Sequence, residues 1–369
     1  MRSGLATGPL LFTISEAIPF PLNSLPMPLN QRALASLARV SQTAVSLALR
    51  GDPSIPAATR ERIRRLADAQ GYRPNPNVAS LMAQIRRNRR PQAGGCIALL
   101  ADAADERGWL DREYTRRQQQ GMADRAAGLG FRTEVFFLRE KGMTPARLDR
   151  ILHARDIRGV VLAGPKRAPV DLSAMRWQDY AGATISYTWD WPPVDRVSSH
   201  HRHNMDIVLQ QLQARGHRRI GLSLQPDEVE AVEQNWLSGF LVMNQRLPAR
   251  RRVPLFVGRH GPASLPAFSS WLKKHKPDAV ISLAGWEETW LRQVKLLGPN
   301  SIGHACVNRP AQTHVAGIEE DHEMIGATTI ELLIAQMQRN EYGLPRRPRL
   351  TLINGEWREG TTLRQPLAI

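Results

Sequence analysis

Three short segments near the amino end of the chain have apolar residues at the spacing of a helix that buries one face. The first stripe consists of Ala33, Leu34, Leu37 and Ala38. The second consists of Val45, Ala48 and Leu49. A third amphipathic segment covers residues 56–70, and a break at residues 39–40 separates the first two. This pattern predicts an all-α head at residues 29–75 in which the first two helices form a helix-turn-helix.

The polar side of the second predicted helix carries no carboxylate. Ser41 has the hydroxyl group of an N-cap, and Gly51 suits the position just after the helix. The residues outside the apolar stripe are Gln42, Thr43, Ser46, Leu47 and Arg50. A surface helix that serves only solubility usually mixes Glu with Lys, so this acid-free side favours a polyanionic partner.

Positive charge is concentrated in the same part of the chain. Residues 30–92 carry twelve arginines and three acidic residues, and their net charge of 12 − 3 = +9 is more than half of the chain's net charge of +16. A surface that contacts phosphates is expected to have such a concentration. A membrane-binding helix would need a broader apolar face, and an RNA-binding module would need more aromatic residues than Tyr72. The alternative that the charge disfavours is an ordinary three-helix packing unit without a ligand.

Several blocks of this segment resemble, in order and spacing, the DNA-binding head of LacI-type (lac repressor family) transcription regulators. The matching blocks are Val40-Ser41, Thr43-Ala44-Val45-Ser46, Gly51, Thr59-Arg60-Glu61-Arg62-Ile63 and Gly71-Tyr72-Arg73-Pro74-Asn75. The resemblance implies a sequence-specific regulator, with a repressor as the family type, that binds a palindromic DNA operator as a homodimer. It also implies control by a small-molecule effector.

The resemblance places individual residues on the DNA. The base edges are assigned to Gln42, Thr43 and Leu47, with Arg50 on the same side, and the backbone to Ser46, Thr59, Tyr72 and Asn75. Leu47 stands where the family often has Arg, so we expect an apolar contact, for example to a thymine methyl group, and an altered operator. Arg39 stands where a turn glycine is usual, which affects the angle between the two helices.

Residues 76–92 match the family's hinge in part. In the family this linker folds on DNA, and a leucine from each subunit enters the minor groove and bends the duplex. Leu81 occupies that place. The alternative is a flexible basic linker.

Strand-like apolar runs alternate with helical segments across residues 93–369, which predicts parallel sheets with crossover helices. GHRRIGLSL, PDAVISLAG and HVAGIEEDHEMIGATTIELLIAQM resemble the family's second-lobe strand, cleft strand and late returning helix. The resemblance implies an α/β, periplasmic-binding-protein-like core of two doubly wound parallel-sheet lobes. The expected bounds are about 93–215 and 316–347 for lobe 1, and 216–315 and 348–362 for lobe 2. Ligands of such sheets bind beyond the strands' carboxyl ends, here between the lobes.

The effector pocket departs from the family's pattern. Trp236 stands where the family has a ligand-binding Arg, and Gly285, followed by Trp286, stands where it has an Asp. The candidate effector-binding residues are therefore aromatic: Trp109, Trp189, Trp236 and Trp286. A tryptophan ring stacks well on a sugar face, so we expect a carbohydrate effector. The alternative for each tryptophan is a place in the core.

Other chemistry has little support. His200, His201 and His203 lack a thiolate or carboxylate partner at ligand spacing, so no metal site and no cofactor is expected. Cys96 and Cys306 are interpreted as buried thiols of a reducing compartment. No nucleophile elbow or phosphate loop is present, so an enzyme is not expected.

Residues 1–28 have an apolar patch that four prolines interrupt, which makes a poor signal peptide and no membrane helix. We predict a disordered extension, with Met27 as the possible translation start. The expected location is the cytoplasm, in association with the nucleoid. The competing interpretation is a solute-binding or sensory module whose basic head binds nucleic acid nonspecifically.

Overall fold

The computed structural model describes residues 31–49, 55–70, 95–163, 170–259, 261–283, 286–298 and 301–366. Its contacts divide the chain into two compact units, Met1–Arg86 and Arg87–Ile369, which we call the head and the core. The predicted extension at residues 1–28 and the whole predicted hinge at residues 76–92 lie outside the described residues.

The described part of the head contains three helices, α1 (Gln31–Ala38), α2 (Gln42–Leu49) and α3 (Ala57–Ala69). They enclose one small apolar core, made by Leu34, Ala35, Ala38, Val45, Ala48, Ile63 and Ala67. This confirms the predicted helices and the burial of Leu34, Ala38, Val45 and Ala48 in their apolar stripes, whereas the side chain of Ala33 lies outside the described part of the structure. Leu37 is an exception, because 53% of its surface is exposed. Ala35, which was not part of the predicted stripe, is buried next to Leu34 instead.

A left-handed residue makes the turn between α1 and α2. Arg39 has φ of 52°. Residues with a Cβ rarely adopt this left-handed backbone conformation, whereas glycine adopts it freely. Ser41 then caps α2, since its Oγ accepts a hydrogen bond from the amide of Ala44 at 3.1 Å. Arg62 on α3 donates to the carbonyl of Ala38 at 3.0 Å and so fixes α3 to the end of α1.

Lobe 1 of the core is a six-stranded sheet with helices on both faces. Its strands lie in the order β11-β5-β4-β3-β1-β2, all parallel. The strands are β1 (Cys96–Ala101), β2 (Arg132–Phe137), β3 (Gly159–Ala163), β4 (Ala181–Ile185), β5 (Asp195–Ser199) and β11 (Leu350–Ile353). The helices that cover it are α4 (Glu106–Trp109), α5 (Glu113–Gly128), α6 (Pro145–Ala154) and α12 (His322–Arg339).

Lobe 2 repeats this plan. Its strands lie in the order β12-β10-β9-β8-β6-β7, and only β12 is antiparallel to its neighbour. The strands are β6 (Ile220–Leu224), β7 (Phe256–Val257), β8 (Ala279–Ser282), β9 (Gly303–Cys306), β10 (Ala316–Glu319) and β12 (Glu356–Arg358). The helices are α7 (His201–Ala214), α8 (Pro226–Ala231), α9 (Asn235–Arg246), α10 (Leu265–His275) and α11 (Trp286–Gln293).

Each sheet has an apolar core on both of its faces, as a doubly wound sheet requires. The predicted fold class is therefore confirmed. On one face of lobe 1, α5 and α12 approach closely at Gly121 and Gly326. A Cβ on Gly121 would lie 2.0 Å from the carbonyl oxygen of Glu323, so only glycine allows this crossing.

The chain crosses between the lobes at other points than the sequence predicts. Helix α7 packs on α9, β10 and β12, so the first crossing lies at Ser199–His201 and not near Arg215. Strand β10 belongs to the second sheet, which places the second crossing after residue 319 and not near Val315. Strand β11 pairs with β5, so the third crossing follows Ile353 and not Pro348. The lobe bounds expected at 215, 315 and 347 are corrected accordingly.

Candidate functional site

The outer side of α2 is the candidate DNA-binding surface of the head. Val45 and Ala48 are buried and Leu49 is half-buried, as expected, whereas Gln42 is exposed and Leu47 half-buried. Thr59, near the start of α3, is half-buried. The side chains of Thr43 and Ser46 lie outside the described part of the structure. The same holds for all atoms of Arg50, Tyr72, Asn75 and Leu81.

The arginines of α3 have two distinct roles. Arg60 and Arg62 donate to main-chain carbonyls of Ile55 and Ala38, at 2.9 and 3.0 Å, and thereby shape the head. Arg64 and Arg65 are exposed, as is Arg39 in the turn. Helix α2 has no acidic residue, and these three exposed cations add positive charge to the described head, which is suited to a polyanion.

In the core, the candidate site lies where the three crossings meet the carboxyl ends of the strands. Glu320, directly after β10, is 3% exposed and joins two of the crossings. Its Oε1 accepts hydrogen bonds from Ser199 Oγ at 2.7 Å and Asn204 Nδ2 at 3.3 Å, and lies 3.2 Å from His201 Nδ1. Asn204 Oδ1 accepts from the amide of Gly355 at 3.0 Å. One buried carboxylate therefore holds the chain together at the pivot between the lobes.

The electrostatics of this cluster are those of a buried anion with strong partners. Burial raises the pKa of Glu320, but the imidazole of His201, its hydrogen bond and the hydrogen bond from Ser199 outweigh burial, so the pKa is lowered overall. Burial is the main cause of a lowered pKa at His322, which therefore stays neutral. Because the carboxylate of Glu320 can only accept, Nδ1 of His201 carries its proton.

A band of rings extends from lobe 1 to lobe 2 beside this cluster. The ring of Tyr187, which follows β4, lies 6.1 Å from that of His201. The ring of His201 lies 4.8 Å from that of Trp236, in an edge-to-face arrangement. Both His201 Nε2 and Trp236 Nε1 are buried and have no hydrogen-bond partner. Unpaired nitrogens also occur on other buried rings of the described core. These two adjoin each other at the crossings between the lobes, which makes them candidates for binding a ligand group.

The structure separates the four candidate tryptophans. Trp109 and Trp189 are 1% and 2% exposed and pack in the two apolar cores of lobe 1, so neither ring offers a free face to a ligand. Trp236 is buried in lobe 2 next to His201. Trp286, at the start of α11, is 38% exposed. Trp236 is 4% exposed and also belongs to an apolar core of lobe 2, so it stays a candidate only because its ring adjoins that of His201. The core alternative thus describes Trp109 and Trp189, whereas Trp236 and Trp286 remain candidates.

A second polar cluster is buried under the carboxyl ends of the lobe 2 strands. Ser282 Oγ lies 2.8 Å from His304 Nε2, and Ser223 Oγ donates to Glu287 Oε1 at 2.7 Å. Burial lowers the pKa of His304 to about 4 and raises that of Cys306 to about 12. Cys306 is buried as predicted, whereas Cys96 is only half-buried.

The buried cluster around Glu320 was not predicted from the sequence. Glu320, Ser199 and Asn204 lie in three separate elements, and only His201 had been singled out, as part of a histidine run. Among the described residues, no group of three potential metal ligands is brought together. The helices of the described segments include none that is long and apolar enough to cross a membrane.

Comparison with protein families identifies the head. Residues 33–75 match the family model described as "Bacterial regulatory proteins, lacI family". This segment covers α1, α2, α3 and the residues up to Asn75. The chain therefore carries a helix-turn-helix domain of the lacI family, as the resemblance in the sequence had indicated.

Solved structures share the fold of most of the chain. The transcriptional regulator CelR in complex with cellobiose is 19% identical, with a TM-score of 0.54, over 90% of this chain and 99% of that one. The lac repressor dimer bound to operator and the anti-inducer ONPF is 18% identical, with a TM-score of 0.54, over 91% and 100%. A LacI family regulator from Enterococcus faecium with bound ribose is 15% identical, with a TM-score of 0.52, over 74% and 100%.

The core is thus of the two-lobed, periplasmic-binding-protein-like type that these regulators contain. A search by sequence among curated proteins found no match.

Proposed function

We propose that this protein is a transcriptional regulator that binds a palindromic operator as a homodimer and responds to a carbohydrate bound between its lobes. One observation carries the DNA-binding half of the proposal: α2 of a lacI-family head has an outward side without any acidic residue. A single head reads only a few base pairs, so two heads related by a two-fold axis are needed for a specific site.

The proposed base-reading residues are Gln42, Thr43 and Leu47, with Arg50 beside them. Gln can pair with adenine through two hydrogen bonds, and Leu offers only apolar contact. Ser46, Thr59, Tyr72 and Asn75 are proposed to bind the phosphate backbone, which sets register and carries no sequence information. Leu81 is proposed as the minor-groove wedge of the hinge.

The proposed effector site is the band formed by Tyr187, His201 and Trp236, with Trp286 at its exposed margin. Two buried nitrogen atoms lack a partner among the described residues: Nε1 of Trp236, which is a donor, and Nε2 of His201, which is an acceptor when Nδ1 carries the ring proton. Both fit the hydroxyl groups of a sugar, which can donate and accept. An aromatic surface next to them fits the apolar face of the same ligand. The sugars in the CelR and Enterococcus faecium structures support this class of ligand.

The effector would act on the pivot between the lobes. His201 contacts Trp236 on one side and Glu320 on the other, so a ligand on the ring band adjoins all three crossings. A ligand shifts a conformational equilibrium only through different affinity for the two states. The expected states are two lobe orientations that differ in how they support the hinge.

The DNA-binding half is tested by a gel shift with the gene's own upstream DNA in physiological salt. Specific binding predicts that unlabelled upstream duplex competes at least tenfold better than scrambled duplex of equal composition. Equal competition would contradict the proposal and favour the solute-binding module with a nonspecific head.

The effector half is tested by thermal shift across a panel of mono- and disaccharides. We expect one sugar to raise the melting temperature of the full chain, and Trp236→Phe to reduce that shift because it removes the N–H donor and keeps a ring. Trp290→Phe is the matched control, since Trp290 is also fully buried with an unpaired Nε1 but lies in the opposite apolar core of lobe 2. Equal loss in both variants would contradict the assignment.

A further inference from the structure

One end of lobe 2 carries the excess positive charge of the core. The segments 218–219, 246–252 and 273–278 contain nine lysines and arginines and one aspartate. The remainder of residues 93–369 contains 28 lysines and arginines and 29 acidic residues, so it is close to neutral. Because the excess charge is confined to three short segments, its cause must be sought in the location of these segments in the fold and not in the overall composition.

The fold brings these three segments together at the amino ends of the lobe 2 strands. The guanidinium of Arg219 donates to the carbonyls of Lys276, at 3.0 Å, and of His275 and Arg250. The carboxylate of Asp278 accepts from the amides of Arg218 and Arg219 at 2.7 and 3.0 Å. One arginine and one aspartate thus fix the three segments as a single surface.

Seven cations of this surface have no hydrogen-bond or ion-pair partner among the residues that the structure describes. They are Arg218, Arg246, Arg250, Arg251, Lys273, Lys274 and Lys276, and we call them the basic end. None of their side chains makes a hydrogen bond or an ion pair with any residue that the structure describes. Six are exposed and Arg251 is half-buried. The single aspartate is occupied by main-chain amides and by His217, which it approaches to 3.7 Å.

Neutralisation of helix ends does not account for the basic end. Helices α9 and α10 end at this surface, and cations near a helix carboxyl end are favourable. That role is already filled by two other arginines. Arg219 binds the last carbonyls of α10, and Arg252 donates to the carbonyls of Gln245 and Leu247, both at 2.9 Å, at the end of α9.

The chemistry of the basic end favours the backbone of duplex DNA over other polyanions. Four of the seven cations are arginines, whose planar guanidinium groups fit phosphate oxygens in pairs. A cavity of about 280 Å³ opens between Arg218 and Arg251. The neighbouring aromatic rings, Phe256 and Trp271, are buried, so no stacking platform for single-stranded bases is offered there. A protein that binds DNA through its head also meets duplex at high local concentration.

We propose that the basic end of lobe 2 is a second, sequence-independent binding surface for duplex DNA. It would contact phosphates of duplex DNA in addition to those that the head contacts. The inference does not depend on which operator the head prefers, and it requires no effector.

The test measures binding of the full chain to a fluorescein-labelled 30-base-pair duplex of random sequence, by anisotropy at several salt concentrations. The patch variant carries Arg218→Gln, Arg250→Gln and Lys274→Gln, one change in each segment. The control variant carries Arg107→Gln, Arg346→Gln and Arg347→Gln, which are exposed cations of lobe 1 that likewise make no hydrogen bond. All six residues lack partners, so both variants should keep the wild-type melting temperature.

The patch variant should bind about tenfold more weakly at 0.1 M salt, and its salt slope should be shallower by about 2.7, as three lost phosphate contacts predict. The control should show less than a third of either change. In a background with Gln42→Glu and Leu47→Glu, which places acid on α2, residual duplex binding should persist and should disappear when the patch changes are added.

Two results would overturn the proposal. One is equal binding by the patch and control variants. The other is displacement of the duplex by polyglutamate of matched charge as effectively as by unlabelled duplex, which would assign the basic end to an acidic polypeptide. Neither result bears on the selectivity of the head, which the gel shift tests separately.

Discussion

His304 is a buried base inside lobe 2, and protonation of its ring destabilises the folded chain. Burial lowers the pKa of its ring from the ordinary 6.5 to about 4, because a charged imidazole loses its hydration there. The unfolded chain therefore binds this proton more tightly than the folded chain. The contribution to stability is fully present above pH 6.5 and is lost as the pH falls toward 4.

The loss of stability in acid that His304 causes can be measured. Between pH 7.5 and 4.5, His304 alone should lower the free energy of unfolding by about 2 to 3 kcal/mol. Urea denaturation of the wild type and of His304→Gln at both pH values should show that the variant loses less stability in acid. His153→Gln, a change at an exposed histidine of lobe 1, should keep the wild-type pH dependence. An unchanged pH dependence in His304→Gln would contradict the assignment.

Arg39 is the one described residue of the head with a positive φ. A left-handed conformation costs a residue with a Cβ about 1 to 2 kcal/mol, which glycine avoids at the expense of some extra entropy when unfolded. Arg39→Gly should therefore stabilise the head by about 0.5 to 1 kcal/mol. Arg39→Ala removes the same charge and keeps the strain, so it should give no gain in thermal unfolding of the head. Equal gains would attribute the effect to charge.

At the scale of elements, α2 is the part of the head whose outer side is proposed to determine sequence preference. Leu47→Ala should change which bases are enriched at one position of each half-site, since it removes the apolar contact proposed for this residue. Leu37→Ala, on the exposed side of α1, is the matched control and should leave the preference unchanged. Selection from a random duplex pool measures both. An unchanged preference in Leu47→Ala would remove this residue from the reading surface.

The strongly apolar elements could be predicted from the sequence, and weakly patterned ones could not. The predicted strands around residues 220–224 and 279–282 are confirmed, because their side chains are buried on both faces. Strand β5 has the sequence DRVSS, which lacks an apolar run, and was missed. Strand β10, AGIE, lies in the segment that resembled the family's late helix. Its assignment to lobe 2 depends on pairing with β9, which no local pattern shows.

The two candidate sites also differ in how far the sequence predicts them. The helix-turn-helix depends on local signals, a cap at Ser41 and a stripe at Val45 and Ala48, and these were predicted correctly. The proposed effector site depends on residues that three separate crossings bring together. Trp109 and Trp189 looked equivalent to Trp236 in the sequence, and all three are buried; only the structure shows that Trp236 adjoins His201 at the crossings.

At the scale of the whole molecule, the chain combines a small basic unit with a larger two-lobed unit. Three chain segments connect the lobes, and Glu320, His201 and Asn204 hold those segments at one point. A rotation of one lobe against the other must pass through this cluster. A ligand on the adjoining ring band is therefore placed to bias the rotation, which is the physical basis of the proposed regulation.

The central claim is that the α2 side of two identical heads reads a symmetric DNA site. The most direct measurement is selection of duplexes from a random pool by the full-length protein, with and without each sugar of the panel. The account predicts enrichment of an inverted repeat whose two half-sites have one fixed spacing. Recovery of pools without any enriched symmetric sequence, under every ligand condition, would contradict it.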